Sequence, residues 1–154
     1  MSKIKIFALG GLNENGKNMY VVEVNKDIFV FDAGLKYDND INLGIDYIIP
    51  NIDYLIKNRK RIKGIFLTHG HEGNMGATPD VLEQLPEVPV YGTKLTLEMV
   101  AKDIDRSIAN KVKLIEIKPH IKLNFGKNSI FPISVTHSIP DAVCYVLYTP
   151  DGAI

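Results

Sequence analysis

The chain has one cysteine, no long apolar run and no recognisable leader. Because Cys144 is alone among 154 residues, an intrachain disulfide cannot form, and we expect a cytoplasmic protein. No apolar stretch reaches the roughly 18 residues that suggest a membrane span. Met1-Ser2-Lys3 leads directly into a strand-like run rather than into a signal peptide. The sequence therefore predicts a protein without membrane attachment.

The chain also has no net charge. Its 18 Lys and Arg residues balance 18 Asp and Glu residues, whereas nucleic-acid binders often carry a basic excess. This balance argues against strong RNA binding by this segment alone. One local basic run, residues 57–63, is more typical of a solvated helix end than of a phosphate contact. The length and the 45% hydrophobic content are those of one globular domain with a real core.

Short apolar and alternating runs predict strands along most of the chain. The predicted strands are residues 4–9, 19–24, 28–31, 62–67, 88–91, 113–117, 130–135 and 143–148. A polar loop is predicted over residues 37–44. The glycines between residues 10 and 16 lack the spacing of a phosphate-binding loop and more simply shape a turn.

Apolar spacing predicts three helices, over residues 48–58, 79–85 and 93–105. Thr78 is the predicted N-cap of the second helix, with Pro79 at its first position. Thr93 is the predicted cap of the third. Strands mixed with helices in this way favour an α/β fold, in which a sheet is covered by helices.

Two histidines, His69 and His71, follow the predicted strand over residues 62–67. Two histidines one residue apart at a strand end can turn both imidazoles toward one metal ion. Without further context, two loop histidines beside a turn would be the simpler interpretation. His137 follows the predicted strand over residues 130–135, so it also lies at a strand end. Its alternative role is that of a loop histidine held by hydrogen bonds.

Six motifs follow one another along the chain. They are Phe7-Ala8-Leu9-Gly10-Gly11-Leu12, Gly16-Lys17-Asn18, Phe31-Asp32-Ala33-Gly34, Leu43-Gly44-Ile45-Asp46-Tyr47-Ile48-Ile49-Pro50, Thr68-His69-Gly70-His71-Glu72 and Thr136-His137-Ser138-Ile139-Pro140-Asp141. In this order they resemble the start of the ribonuclease J family, whose members are metallo-β-lactamase-fold nucleases of the β-CASP group. Several motifs in the right order are far more specific than any one of them.

The resemblance implies a four-layer αββα sandwich, of which residues 1–154 form only the N-terminal part. In the family, a metal-bridging aspartate, a last ligand histidine, the β-CASP domain and a C-terminal domain come later. We therefore expect the chain to be the N-terminal portion of a longer protein, or a truncated product.

The resemblance also implies a metal site. It assigns His69, His71 and His137 to one ion, expected to be zinc, with manganese or magnesium as alternatives. It places Asp32 and Asp141 behind this site, where such groups orient the ligating histidines. Asp32 has a second interpretation, in which its carboxylate fixes a strand-end turn.

The chain departs from the family at Gly73 and Asn74, where the family carries an aspartate and a histidine that hold a second ion. Glycine offers no side chain, and asparagine offers only a neutral carbonyl oxygen. Two metal ions together stabilise the attacking and leaving oxygens of phosphodiester cleavage. We therefore expect hydrolysis to be impaired. Glu72 is interpreted as a solvated loop carboxylate rather than a replacement ligand.

Three functions remain open from the sequence. The first is a ribonuclease J-like protein of RNA processing and decay, with weak or no nuclease activity. The second is a non-catalytic subunit that binds RNA or stabilises an active ribonuclease J paralogue, in a homo- or hetero-oligomer. The third is a hydrolase that cleaves small esters with a single metal ion at His69, His71 and His137.

Overall fold

The computed structural model describes residues 1–37 and 44–154, which form an α/β fold with four α-helices, a six-stranded sheet, a four-stranded sheet and a two-stranded sheet. The helices are α1 (Asp53–Lys57), α2 (Glu72–Met75), α3 (Thr78–Gln84) and α4 (Lys94–Asp103). The strands are β1 (Ile4–Gly10), β2 (Met19–Val24), β3 (Asp27–Phe31), β4 (Lys36–Tyr37), β5 (Tyr47–Ile48), β6 (Ile62–Phe66), β7 (Val90–Gly92), β8 (Leu114–Glu116), β9 (Leu123–Phe125), β10 (Asn128–Ser134), β11 (Val143–Thr149) and β12 (Gly152–Ala153).

The first sheet is mixed and has six strands in the order β1-β2-β3-β6-β7-β8. β1, β2 and β3 are antiparallel neighbours, while β6, β7 and β8 continue the sheet in parallel. Because β3 and β6 are parallel neighbours, their carboxyl ends lie side by side. The loops that leave these two strands, which carry Asp32 and His69, therefore start at the same edge of the sheet.

One face of the first sheet packs against the helices. Apolar residues alternate along the strands, so that one set faces α1, α3 and α4 while the other faces the opposite side. The largest buried side chains of this core cluster are Met19, Ile28, Leu55, Ile65, Leu67, Leu82 and Leu85. This core fixes the end of β6, from which the histidine motif departs.

The other face packs against a second sheet of four antiparallel strands, in the order β12-β11-β10-β9. Phe66 lies at the centre of the interface, where its ring stacks on Tyr91 with centroids 4.8 Å apart and meets Phe125 edge-on. The other buried members of this cluster are Val22, Val24, Phe29, Ile130 and Leu147. The described residues thus form three layers, namely helices, sheet and sheet.

The predicted helices are present, but their boundaries differ. The first is much shorter than predicted, because Pro50 disfavours helical backbone at the residue before it, and Ile48 lies in β5. In the second, Ala77 rather than Thr78 is the N-cap, and the Thr78 hydroxyl donates to the carbonyl of Met75 at 2.6 Å. Thr93 is the N-cap of α4, as predicted, although its side chain makes no capping bond.

The predicted strands are also present, each within a few residues of its predicted bounds. Strands β4, β5, β9 and β12 and helix α2 were not predicted, because each has only two to four residues. Of the predicted polar loop, Tyr37 belongs to β4, and residues 38–43 lie outside the described residues. Within the described ranges, no helix is long and apolar enough to cross a membrane.

Candidate metal centre

The loop after β6 carries His69 to the edge of the sheet. Beyond β6, the Leu67 amide still donates to the carbonyl of Tyr91 at 2.8 Å, which extends the strand pairing by one residue. The Thr68 amide then turns to the carboxylate of Asp32 at 2.8 Å. His69 is therefore the first residue free of the sheet, and its side chain is only 8% exposed.

His71 occupies the N-cap position of α2, with extended backbone angles. Its carbonyl accepts the amides of Asn74 and Met75 at 2.9 and 3.0 Å, which fixes the backbone at this position. The imidazole makes no capping bond, so the side chain remains available for another role.

His137 comes from the second sheet, in the loop between β10 and β11. The Val143 amide donates to the carbonyl of Thr68 at 2.9 Å, and this bond ties the base of that loop to the histidine motif. The Tyr145 hydroxyl makes a second link, donating to the carbonyl of Leu67 at 2.6 Å. The contact between the two sheets therefore positions the third histidine.

The three imidazoles converge. Their ring centroids are 4.9 Å apart for His69 and His71, 4.2 Å for His69 and His137, and 4.9 Å for His71 and His137. Each ring offers one nitrogen such that all three lie within 4.8 Å of one another. A tetrahedral zinc ion takes ligand nitrogens at about 2 Å, and three nitrogens this close together form a candidate metal site. His69 is buried, His71 half-buried and His137 exposed.

The electrostatics of the site favour a neutral imidazole at His69. Burial, together with the neighbouring His137 and His71, lowers the pKa of His69 to about 4. A neutral imidazole retains the lone pair that binds a metal. The nitrogen of His69 therefore remains available at neutral pH without the loss of a proton.

Asp32 lies behind the cluster and is 5% exposed. Its carboxylate accepts the Thr68 amide at 2.8 Å, the Thr68 hydroxyl at 3.0 Å and the side-chain amide of Asn74 at 2.7 Å. Burial raises the pKa of Asp32 to about 6, although the bonds from Asn74 and Thr68 act in the opposite direction. The Asp32 carboxylate therefore fixes the turn that carries His69, and its role behind a bound metal stays a prediction.

Gly73 and Asn74, the two residues that differ from the family pattern, make other contacts. The carbonyl of Gly73 accepts both the amide and the side-chain nitrogen of Asn18, at 3.0 and 2.9 Å. The side-chain nitrogen of Asn74 donates to Asp32. A Cβ atom at Gly73 would lie 3.2 Å from the α-carbon of Gly16, so even a small side chain there would be tightly packed.

Two acidic residues near the cluster contribute little to it. Asp141 is exposed, and its carboxylate makes no hydrogen bond within the described ranges. Its backbone carbonyl accepts the Thr93 hydroxyl at 2.9 Å, so the supporting role of its side chain stays a prediction. Glu72 is also exposed and is absent from the cluster that the described residues form.

The basic run over residues 57–63 is largely neutralised by acidic partners. Arg59 forms a two-pronged contact with Glu87 at 2.6 and 2.9 Å. Arg61 lies 3.4 Å from the buried carboxylate of Glu23, and Lys63 pairs with an aspartate. These pairs favour a structural role for the run over contact with phosphate.

Two contributors to the site escaped the sequence-based prediction. Thr68 contacts both Asp32 and the Nδ1 atom of His69, and Asn18 anchors the turn at Gly73. Both residues stand inside motifs that the resemblance used. Their position beside a histidine and a glycine was the available signal, but it did not reveal their partners.

Comparison with known proteins places the chain in a family. The model of the metallo-beta-lactamase superfamily matches residues 12–149. The chain is 45% identical over 152 residues to Ribonuclease J 2 of Staphylococcus aureus (strain MRSA252), covering 98% of this chain and 27% of the relative. Ribonuclease J 2 of Staphylococcus epidermidis is 44% identical over the same length. The resemblance to ribonuclease J that the motifs indicate is thus confirmed.

Solved structures agree on the fold. A protein of unknown function from Enterococcus faecalis V583 matches with a TM-score of 0.70 at 18% identity, over 97% of this chain and 41% of that one. The metallo-beta-lactamase fold protein YhfI from Bacillus subtilis matches with a TM-score of 0.63 at 17% identity, over 94% and 57%. The chain spans about a quarter of the length of its curated relatives. It belongs to the metallo-β-lactamase superfamily, and it carries the amino-terminal, histidine-bearing part of that fold.

Proposed function

We propose that this chain is the metal-binding segment of a ribonuclease J-like protein of RNA processing and decay, and that its own phosphodiester hydrolysis is impaired. The observation that carries the proposal is the convergence of His69, His71 and His137 at one edge of the fold. The 45% identity to Ribonuclease J 2 supports RNA as the substrate or ligand of the whole protein.

The donor set supports one zinc ion. Three imidazoles are the ligands of many catalytic zinc sites, whereas magnesium and manganese prefer oxygen ligands. When bound, such an ion supplies Lewis-acid polarisation of an oxygen atom and lowers the pKa of water at the site. His69 is held in its neutral state by burial, and the exposed His137 leaves one side of the cluster open to solvent.

Impairment follows from positions 73 and 74. Phosphodiester cleavage by this class of fold depends on a pair of ions that stabilise both the attacking and leaving oxygens. Gly73 has no side chain to offer, and the amide nitrogen of Asn74 is engaged with Asp32. A second ion therefore lacks ligands at these two positions.

A specific observation favours each of the two other functions. Tyr148 of β11 and Val135, just after β10, are 39% and 40% exposed, which supports a subunit that associates with an active ribonuclease J paralogue. The open side of the cluster, at His137, supports hydrolysis of a small ester by one ion. We rank both below the first proposal, because neither explains the similarity to Ribonuclease J 2.

Metal content and RNA cleavage, measured on the same preparation, test the proposal. The 154-residue chain is stripped with a chelator, reloaded with zinc or manganese, and analysed for bound metal. It is then incubated with a 5′-monophosphorylated RNA. We expect about one zinc ion per chain and little or no cleavage. His69→Ala should lose the ion, whereas the exposed fourth histidine gives a matched control, His120→Asn, that should keep it.

Two outcomes would contradict the proposal. A wild-type chain that binds no zinc would contradict the proposed metal site, and partner binding would become the preferred function. Robust metal-dependent RNA cleavage would contradict the proposal that hydrolysis by this chain is impaired. Turnover of p-nitrophenyl acetate that disappears in His71→Ala would instead favour the single-ion hydrolase.

A further inference from the structure

A continuous chain of hydrogen bonds runs from Asn74 to His69. The side-chain nitrogen of Asn74 donates to Asp32 Oδ2 at 2.7 Å. The Thr68 hydroxyl lies 3.0 Å from both oxygens of the same carboxylate. It also lies 2.8 Å from Nδ1 of His69. Asp32 and His69 are buried, at 5% and 8% exposed, and Thr68 between them is half-buried.

The direction of these bonds follows from the number of protons available. An ionised carboxylate only accepts, and a threonine hydroxyl has a single proton to donate. Asp32 therefore takes the hydroxyl proton of Thr68. The hydroxyl oxygen can then contact the ring of His69 only by accepting a proton from Nδ1. This arrangement leaves the Nε2 lone pair of His69 free to face the cluster.

We propose that Thr68 is a positioning residue for the three-histidine site. Its hydroxyl, held by the Asp32 carboxylate to which Asn74 also donates, fixes His69 in the tautomer that carries its proton on Nδ1 and offers Nε2 to a metal. Asn74 then supports the first site through Asp32, a different role from that of the family histidine, which holds a second ion. The link to metal binding rests on the proposed function, whereas the tautomer is a property of the metal-free chain.

The alternative role for Asn74 is that of a relic, left where a ligand was lost. The hydrogen bond from the side-chain nitrogen of Asn74 to Asp32 makes this interpretation less satisfactory. A buried carboxylate such as that of Asp32 needs hydrogen-bond donors. The two donors of the Thr68 residue, its amide and hydroxyl, share the carboxylate with Asn74. Loss of the Asn74 donor would loosen the group that orients the Thr68 hydroxyl.

The tautomer can be read directly by NMR. Long-range ¹H–¹⁵N spectra of the metal-free, ¹⁵N-histidine-labelled chain distinguish a protonated Nδ1 from a protonated Nε2. Spectra are recorded at pH 8, and the His69 signals are assigned by their loss in His69→Gln. We expect wild-type His69 to carry its proton predominantly on Nδ1. Thr68→Val, which keeps the shape and the backbone amide but lacks the hydroxyl, should lower that population.

Two matched control variants separate the effect of losing the Thr68 hydroxyl from a general disturbance of the structure. Thr68→Ser keeps the hydroxyl and should keep the wild-type tautomer. Asn74→Ala should lower the Nδ1–H population less than Thr68→Val does, and Asn124→Ala, at an exposed asparagine of β9, should not change it. Should Thr68→Val fail to fold, the wild-type spectrum and the Asn74→Ala spectrum still decide the proposal.

Zinc affinity gives the second readout. Groups that orient a ligating histidine typically contribute about 10- to 100-fold to metal affinity. We expect a loss of this size in Thr68→Val and a loss below about threefold in Thr68→Ser. A wild-type His69 with its proton on Nε2, or a Thr68→Val variant with an unchanged tautomer, would overturn the proposal. If the tautomers behave as expected and wild-type chain binds no zinc, the hydrogen-bond chain stands and the metal site of the proposed function fails.

Discussion

The α-carbon of Gly34 lies so close to the carbonyl oxygen of Gly73 that a Cβ atom at Gly34 would overlap with it. Backbone hydrogen bonds on either side lock this contact. The Ala33 amide donates to the carbonyl of Asn74 at 2.8 Å, and the Leu35 amide donates to that of Glu72 at 3.0 Å. The loop after β3 and the turn that follows the histidine motif are therefore one rigid unit.

The first prediction concerns this contact. Gly34→Ala should lower the free energy of unfolding by about 3 kcal/mol or more, because the overlap is with backbone and cannot be relieved by rotation of a side chain. Gly126→Ala is the control. Gly126 has φ +65° and open space around it, so alanine there should cost about 1 kcal/mol. Urea denaturation measures both, and equal losses would contradict the rigid unit.

The second prediction concerns the pH dependence that Asp32 imposes on stability. Its pKa is about 6 in the folded chain against an ordinary value of 3.8. Between these values the folded state binds a proton that the unfolded state does not, so stability is present at low pH and is lost as the pH rises through 6. The size of the shift corresponds to about 3 kcal/mol.

The comparison with Asp32→Asn isolates this effect, because His69 and the other groups titrate in both proteins. In chelator, the stability of wild type relative to Asp32→Asn should fall by up to about 3 kcal/mol between about pH 4 and pH 7. Urea denaturation at several pH values measures the difference. A difference that is flat across this range, or that rises with pH, would show that Asp32 is ionised throughout.

The sequence predicted the main strands and the pairing of His69 with His71 because both depend on local signals. Apolar runs marked β2, β3 and β6, and the spacing of His69 and His71 at a strand end indicated convergence. The joining of His137 to that pair depended on the family resemblance. Contact between the two sheets, through Val143 and Thr68, now gives it a physical cause.

The features that the sequence did not predict depend mostly on contacts between residues far apart in the chain. Asn74 and Asp32 are separated by 42 positions, so no local pattern could reveal that the amide serves the carboxylate. The basic run over residues 57–63 looked free in the sequence, yet Arg59 finds Glu87 and Arg61 finds Glu23 only after folding. The helix predicted over residues 48–58 is shorter than predicted for a local reason, the proline at position 50.

The third prediction tests whether Asn74 acts as a donor. Asn74→Asp preserves the shape of the side chain and replaces the donor with an acceptor, 2.7 Å from Asp32 in the wild-type geometry. At pH 8 two facing carboxylates should cost about 3 kcal/mol of unfolding free energy. At about pH 5 one shared proton should restore most of the contact. Urea denaturation measures the loss at each pH.

The matched control for that prediction is Asn124→Asp, because Asn124 is exposed on β9. It should change stability by less than about 0.5 kcal/mol at either pH. An Asn74→Asp variant as stable as this control at pH 8 would mean that the contact between Asn74 and Asp32 contributes little to the free energy of unfolding.

The fourth prediction concerns the effect of metal on stability. An ion that binds only the folded chain stabilises it by about 2.7 kcal/mol at a free concentration of 100 times Kd, which corresponds to an increase in Tm of about 5 to 10 °C for a domain of this size. His71→Ala should abolish the increase, since His71 supplies one of the three converging nitrogens. His120→Asn should retain it, because His120 lies outside the cluster. Thermal unfolding followed by circular dichroism, with and without zinc, makes the measurement. If zinc raised the Tm of His71→Ala as much as that of wild type, the ion would bind somewhere other than the three histidines.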